Sequence, residues 1–478
     1  MIRSSVESMR TFIRPRLLTL LLVVSGACIS WAPRVVQVEL AWDALPKILK
    51  SIRPPVFPAR DFDITQFGAV ANGSSDCTKA MEEAIERCSA SGGGRVVVPK
   101  GIFLTGAIHL KSNVNLYVSK DATIRFSTDP KKYLPIVYTR WEGVECMNYS
   151  PLIYAYEQEN IAVTGEGVLD GQGAPENWWS WSGKPQYAWK DGMPNQKNSR
   201  DALFTMAEKA TPVSQRVFGE GHYLRPNFVQ PYRCKNVLIE GVTFKNSPMW
   251  FIHPVLSQNV SVLHATVEGL GPNNDGCDPE SSKDVLIKNC YFNTGDDCIA
   301  IKSGRNNDGR RIGVPSENII IQDCTMKDGH GGVVIGSEMS GGVRNVYAER
   351  CTMNSPNLER ALRIKTNSVR GGYVENVFMR EVKVGQVAEA VIKVDFFYEE
   401  GDAGAFAPVL RNVQVSNLTS SKSAYAVWIR AYQHSPAKDI LIENCMFSNV
   451  SKPSVVENVM NLRYVNVRVN GELVSHDQ

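Results

Sequence analysis

The chain has 478 residues, of which 43% are apolar and 21% charged, and a formal net charge of +3. That balance belongs to a globular chain with a large core and excludes a disordered or low-complexity one. It gives no sign of a nucleic-acid-binding protein, and so small an excess of lysine and arginine would serve an acidic polymer only if gathered in a cleft.

In chain order, Arg10, Arg14 and Arg16 precede an apolar run, LLTLLLVVSGACI, over 17–29. The run is short for a bilayer span, and Ser30-Trp31-Ala32 supplies a small-x-small cleavage site. Residues 1–32 are therefore expected to be a signal peptide. The protein would then be periplasmic or secreted, with no membrane association beyond the export signal. Residues 33–58, with Pro54, Pro55 and Pro58, read as a flexible lead-in, and the folded domain is expected over 59–478. SDCTKAMEEAIERCSA (75–90) has apolar residues at helical spacing, with Ser75 or Asp76 to cap it and Gly92, Gly93 and Gly94 to stop it. RVVVPKG reads as a strand ending at Pro99.

From there the chain repeats. A residue Asn or Asp followed by alternating apolar residues recurs as NVNLYV at 113, NIAVTG at 160, NVLIEG at 236, NVSVLH at 259, DVLIKN at 284 and NIIIQD at 318. It continues as NVYAER at 345, NVFMRE at 376, NVQVSN at 412, DILIEN at 439 and NLRYVN at 461. From position 236 the intervals lie between 22 and 36 residues. Short strands at that period, without intervening helices, indicate a solenoid of β-coils: an all-β parallel β-helix, with the 75–90 helix capping its open end. The leading Asn has a structural explanation, since it tolerates tight-turn geometry and can bond its counterpart on the next coil.

Eleven cysteines in an exported chain would admit a disulfide framework. Yet Cys290, Cys324, Cys351 and Cys445 fall at one point of the repeat, in VLIKNC, IIIQDC, VYAERC and LIENC, as an inward stack of free thiols would. Cys77 and Cys88 sit on one helix, too far apart to bridge. No Cys/His cluster has zinc spacing, so neither a metal nor a cofactor is expected. The rhythm pauses over about 172–228, where Trp178, Trp179, Trp181, Tyr187 and Trp189 stand in a polar, Gly/Pro-rich setting. An insertion of this length suits a cleft wall for sugar rings or, equally, a satellite cluster packed on the solenoid.

Candidate chemistry gathers in NNDGCDPE, TGDDCIAIKSGRN, DGHGGVVIGSEMSGG and ERALRIKT, between 273 and 366. Asp275, the pair Asp296 and Asp297, His330, and the pair Arg363 and Lys365 recur at about one coil each, so coil stacking would set them in one column. Arg363 and Lys365, two apart on a strand, share a face. Adjacent Asp296 and Asp297 would diverge on a regular strand, and Gly295 is the residue whose backbone freedom could turn both outward. Crowded carboxylates leave at least one protonated near neutral pH; that one can act as general acid and the others can activate water. The cations suit a sugar carboxylate.

NND (273–275), GDD (295–297), GHG (329–331) and RIK (363–365) resemble, in order and spacing, the four motifs of the polygalacturonases of glycoside hydrolase family 28. The resemblance runs from about residue 60 to 470. It implies a right-handed β-helix and metal-free, inverting hydrolysis of α-1,4-linked galacturonate in pectic polysaccharide or oligogalacturonate. By motif position Asp296 would be the general acid, Asp275 and Asp297 would activate water, and His330 would support the acid. Arg363 and Lys365 would bind substrate carboxylate, with Asn273 and Arg305 also counted among substrate-binding groups. The first motif reads NND where many members have NTD, a small polar change at Asn274 that should leave Asp275 undisturbed. TRWEGVECMNYSP, GHYLRPNFVQ, NSPMW, GPNNDG and SGRNNDGRRIGVPSEN look most like the bacterial exo-acting branch, which trims a chain end; an insertion closing one end of the groove fits that branch. Arg305, Arg310 and Arg311 would then help hold the terminal sugar, or else form a solvated charged loop. Three alternatives stay open: a galacturonidase acting on rhamnogalacturonan-derived oligosaccharides, a pectate lyase, which would need a calcium cage or an arginine base, and a non-catalytic β-helix adhesin.

Overall fold

The computed structural model describes residues 42–474; the expected export signal lies outside them. Among the described residues no helix is long and apolar enough to cross a membrane.

Each Asn-led phrase becomes part of one coil of a right-handed parallel β-helix. One face is a 13-stranded sheet and the second a 14-stranded sheet. The third joins a 3-stranded to a 6-stranded sheet through bridges from Val229 to Ile252, Ile252 to Cys277 and Cys277 to Ile299. Inward-facing columns fix the register. Val237, Val260, Val285, Ile319, Val346, Val377 and Val413 are successive partners on the first sheet and all are buried. A one-residue slip of any strand would turn its apolar set to solvent.

Between strands the chain must turn sharply, and the leading Asn does this. Asn236, Asn259, Asn318, Asn345, Asn376 and Asn412 have φ of 56°, 57°, 58°, 59°, 59° and 57°. That left-handed conformation costs most L-residues about 1–2 kcal/mol, and Asn tolerates it best. Their amides also form a ladder: Asn345 Nδ2 donates to Asn318 Oδ1 (3.0 Å), Asn376 Nδ2 to Asn345 Oδ1 (3.0 Å) and Asn412 Nδ2 to Asn376 Oδ1 (2.8 Å). Cys290, Cys324, Cys351 and Cys445 stack inside as expected, and the described cysteines are buried and unbridged. Burial pushes the Cys445 thiol up to about 11, beyond easy reactivity.

The capping helix runs over Thr78–Ala90 and buries Ala80, Met81, Ala84, Ile85 and Cys88, one face at helical spacing. Asp76 Oδ1 accepts the Thr78 N–H (2.9 Å) at its start. Of the expected 33–58 lead-in, the described part from residue 42 on is more ordered than its prolines suggest. Leu45–Ser51 is a helix packed outside the first sheet, where Leu45 and Ile52 meet Ile320, Tyr347 and Phe378. Trp42 stands edge-on to Tyr347 at 5.6 Å with the Arg380 guanidinium 3.9 Å from its ring centroid. Arg53 exchanges two hydrogen bonds with the Asn259 side chain (2.9 and 2.8 Å).

Asn345→Ala should lower the unfolding free energy by about 2 kcal/mol, since it keeps the left-handed turn and removes both ladder bonds, whereas Asn345→Gly should lose only about 1 kcal/mol. Denaturant titration would give the order Asn, Gly, Ala; Ala above Gly would refute the turn argument.

Candidate active site

The site is built where the third sheet begins its strands. Asp296 and Asp297 immediately precede the strand Ile299–Ile301, which pairs in parallel with Val333–Ile335, and that in turn with Arg360–Lys365. Backbone bonds tie the coils together beside the functional groups. Gly276 N donates to Asp297 O (3.0 Å), Cys298 N to Gly331 O (2.8 Å), and His330 N to Asp296 O (3.0 Å). The 21-, 34- and 33-residue separations from Asp275 to Asp296, His330 and Arg363 thus collapse into one column.

Both Asp296 and Asp297 turn to this column. A carboxyl oxygen of each lies within 4.8 Å of one on Asp275. Asp296 Oδ1 accepts the Asp297 N–H (3.0 Å), which bends the chain out of strand geometry and lets neighbours share a face. Gly295 serves here through contact, not through unusual dihedrals: a Cβ on it would lie 2.3 Å from Gly271 O. Gly329 is required on both counts, with a φ of 151° and a Cβ position 2.6 Å from Asp296 O.

The three carboxyls have unlike surroundings. Asp297 is fully buried; Lys365 Nζ donates to it at 2.7 Å and Arg363 Nη1 at 3.3 Å. Burial would raise its pKa, but Lys365 and Arg363 outweigh that and hold it below the usual carboxylate range. Asp296 is the most open, with 16% of its side chain exposed, and hydrogen-bonds His330 Nδ1 at 2.9 Å. Burial is again opposed, here by the His330 bond, and Asp296 is lowered; the same bond raises His330 to about 9. Asp275 has only Lys302 Nζ nearby, at 3.5 Å, and burial with the neighbouring Asp296 charge pushes it up to about 8. Asp278, fully buried and also beside Lys302, is likewise raised well above the carboxylate range by burial and by Asp275, so the proton held in the free protein lies within the Asp275–Asp278 pair and not on Asp296 or Asp297.

Lys302 was not singled out from the sequence. It is buried, with Glu338 (3.2 Å), Asp275 (3.5 Å) and Asp278 (3.7 Å) around it and its ammonium 4.5 Å from the Trp250 ring centroid. The signal was available: in CIAIKSG, Ile299 and Ile301 face inward, so Ala300 and Lys302 face out, beside the carboxylates. Glu338, Tyr398 and Glu399 also line the cleft, on loops whose reach the repeat does not encode.

Asn273 lines the cleft while its Oδ1 accepts from Arg225 Nη2 (2.7 Å). Asn274 is structural, accepting from Gly271 N (3.0 Å) and donating to Ser247 and Met249 carbonyls (3.1 and 2.9 Å). Arg305 lies just outside the cleft lining, buried against Glu338 (3.4 Å), Glu400 (3.5 Å) and Glu399 (3.6 Å). Arg310 and Arg311 do not join the site. Arg310 stacks on Phe406 and donates to the carbonyls of Val369 and Arg370, and Arg311 pairs with Glu145 and Asp308. The aromatic residues of the insertion do not form a satellite cluster: Trp178 is buried, 4.8 Å from Trp181 and 5.6 Å from Tyr133 between centroids, and belongs with Tyr133 to the main core. A separate cluster lies instead under the helix Lys197–Glu208, where Leu203 and Ala207 pack with Trp141, Val144, Cys146 and Trp250. Ser182, Gly183, Lys184, Trp189, Asn195, Lys197 and Arg200 form a wall of the cleft, whose volume is about 590 Å³. The hairpin Val137–Trp141 with Val144–Asn148 braces that wall, Glu142 accepting from Arg200 Nε at 2.7 Å.

Three carboxyls so close are also a conceivable cation site. Each, however, already faces a resident cation: Lys302, His330, or Lys365 with Arg363. Little negative charge is left over for a divalent ion.

Residues 218–467 match the sequence profile of the glycosyl hydrolases family 28. The chain belongs to that family. This glycoside hydrolase is 50% identical to a hyperthermoactive exopolygalacturonase from Thermotoga maritima, over 91% of this chain and 97% of that one, with a TM-score of 0.88. It is 28% identical to an exo-poly-alpha-D-galacturonosidase of Dickeya chrysanthemi, covering 82% of this chain and 67% of the relative. To a probable polygalacturonase of Vitis vinifera it is also 28% identical, over 83% and 76%. A family 28 exopolygalacturonase of Yersinia enterocolitica shares the fold at 22% identity and a TM-score of 0.67, over 87% of this chain and 80% of that one.

Lys302→Met would take from the buried Glu338 carboxylate the cation that does most to keep it ionised, and should cost about 3–5 kcal/mol of stability, the usual effect of removing one partner from a buried ion pair. Equilibrium unfolding of the variant measures it; a loss below about 1 kcal/mol would mean that Lys302 does not neutralise Glu338.

Proposed function

We propose that this glycoside hydrolase cleaves α-1,4-linked galacturonate from polygalacturonate, one sugar at a time from a chain end, with inversion at the anomeric carbon. The observation that carries the reading is the division of the carboxyl cluster into one reachable group and two covered ones. Asp296 opens to the cleft, whereas Asp275 and Asp297 are 3% and 0% exposed. A covered carboxylate is poorly placed to bond an anomeric carbon itself, but two of them can hold a water that does. The carboxyl spacing is shorter than the roughly 6.5–9.5 Å common between acid and base in inverting enzymes. The argument for inversion thus rests on burial and on resemblance to the family, not on separation.

The proton inventory closes on itself. In the free enzyme the Asp275–Asp278 pair carries the proton and Asp296 is ionised. A glycosidic oxygen beside Asp296 favours transfer of that proton to Asp296, which leaves Asp275 as a base. Asp296 then protonates the glycosidic oxygen, the C–O bond breaks with its electron pair on that oxygen, and the water attacks while losing a proton to Asp275. The pair ends protonated and Asp296 ionised, as they began. His330 orients Asp296 and steadies its charge between turnovers. Asp297, held ionised by Lys365 and Arg363, orients the water.

Exo action is supported by the wall that the 172–228 insertion adds to the cleft, braced by the 137–148 hairpin, and by the likeness to the Thermotoga maritima exopolygalacturonase. A polymer of the cell exterior also agrees with an export signal in residues 1–32.

Chromatography of early products on polygalacturonate should show galacturonate alone, and proton NMR should show the β-anomer first. A ladder of oligomers would defeat exo action, and a first-formed α-anomer would defeat inversion. Asp296→Asn should reduce kcat by about 10²–10⁴ with a smaller change in KM. Because the cluster must hold one proton, kcat/KM should be maintained below about pH 8 and fall as the pH rises through about 8, where Asp275 loses it. A profile flat from neutrality to pH 10 would contradict the shared-proton scheme.

A further inference from the structure

The cations deepest in the cleft already face carboxylates. Lys365 and Arg363 donate to Asp297, Lys302 is enclosed by Asp275, Asp278 and Glu338, and Arg200 is bound to Glu142. Lys184 and Lys197 differ. Both line the same cleft, both are exposed, and neither ammonium has a hydrogen-bond or ion-pair partner among the described residues. Both also belong to the wall, not to the coils, and their backbones are fixed. Lys184 follows Gly183, which takes a left-handed φ of 74° at the end of the Ser180–Ser182 turn packed under Trp178. Lys197 begins the helix Lys197–Glu208, with its N–H donated to Asn195 Oδ1 (3.0 Å) and the preceding Gln196 held by buried Arg225 (3.0 Å).

We infer that Lys184 and Lys197 bind the carboxylate of a uronate sugar at the walled end of the cleft, and so make this enzyme select an anionic chain terminus. The inference rests on the proposed polygalacturonase reading and deepens it. A carboxylate arriving near Arg363 and Lys365 must compete with Asp297 for both, whereas Lys184 and Lys197 hold no carboxylate among the described residues. Trp189, also on the wall, offers an aromatic face for the same sugar ring.

The test uses the full-length enzyme with short oligogalacturonates, either with free carboxylates or fully methyl-esterified. Lys184→Ala combined with Lys197→Ala should raise KM for the free-carboxylate substrate about tenfold while kcat stays within about twofold. The wild-type KM should rise with ionic strength, that of the double variant much less. The ratio of KM values for esterified and free substrates should collapse toward unity in the double variant, and arginine at both positions should restore it. Both side chains are exposed, so thermal unfolding should match wild type. A wild-type KM for the free-carboxylate substrate in a folded double variant would overturn the inference while leaving the polygalacturonase reading intact. A wild-type enzyme inactive on the free-carboxylate oligogalacturonate would instead overturn that reading, and the inference with it.

Discussion

In-register stacking of parallel coils is the constraint on which everything else depends. A coil can sit on its neighbour only at the inter-strand distance of about 4.8 Å, with each residue over its counterpart. Inside, this makes columns of identical character, such as the valine and isoleucine columns of the first sheet. Outside, it forces polar groups from distant sequence positions into contact whether or not they attract. The asparagine ladder solves that problem mostly with neutral amides that donate to the coil before, with carboxylates accepting at Asp284 and Asp439. The column at the candidate site solves it with charge: a carboxylate on one coil is met by an ammonium, guanidinium or imidazole from the same coil or a nearby one.

This arrangement turns similar carboxyls into unlike acids. Burial alone would raise all three. What separates them is how many cations each faces: two for Asp297, the more exposed imidazole for Asp296, and for Asp275 a single lysine shared with Asp278 and Glu338. The proton therefore rests on the Asp275–Asp278 pair, which has the poorest electrostatic support, and not on the carboxyl best placed to donate it. That is a sound resting arrangement for a reversible relay. The donor must lie in reach of the leaving oxygen, while the proton can wait at a neighbour less than 5 Å away.

The parts of the molecule written in the repeat were legible in the sequence. Period, Asn-led turns, the cysteine stack and the column of Asp275, Asp296, His330 and Arg363 all follow from counting coils, and the capping helix from its apolar face. The shared orientation of Asp296 and Asp297 did not follow, because it depends on a side chain bonding the next backbone N–H. Lys302 was visible as an outward position next to GDD but reads, in isolation, as a solvated lysine. Arg310 and Arg311 show the reverse error: exposed-looking charges in a polar loop that are bound to Glu145, Asp308 and backbone carbonyls. The lead-in misled because three prolines drew attention from Trp42, Leu45, Ile48, Leu49 and Ile52, apolar residues at nearly helical spacing that pack on the outer sheet.

The insertion over 172–228 shows why a solenoid can carry a precise wall. A loop of that length closed on itself would retain too much conformational freedom to hold a lysine at a fixed point of a cleft. Here the chain is pinned at both scales. Trp178 joins the main core with Trp181 packed against it, and Arg225, fully buried, donates to Gln196 in the wall, to the carbonyls of Pro248 and Pro272, and to Asn273 near the carboxyl cluster. One guanidinium thus fixes the wall relative to the first catalytic motif. Its five donors in a planar fork suit that task in a way a lysine could not. The wall and the loop that carries Asn273 are tied through one buried side chain, so neither can shift without disturbing the other.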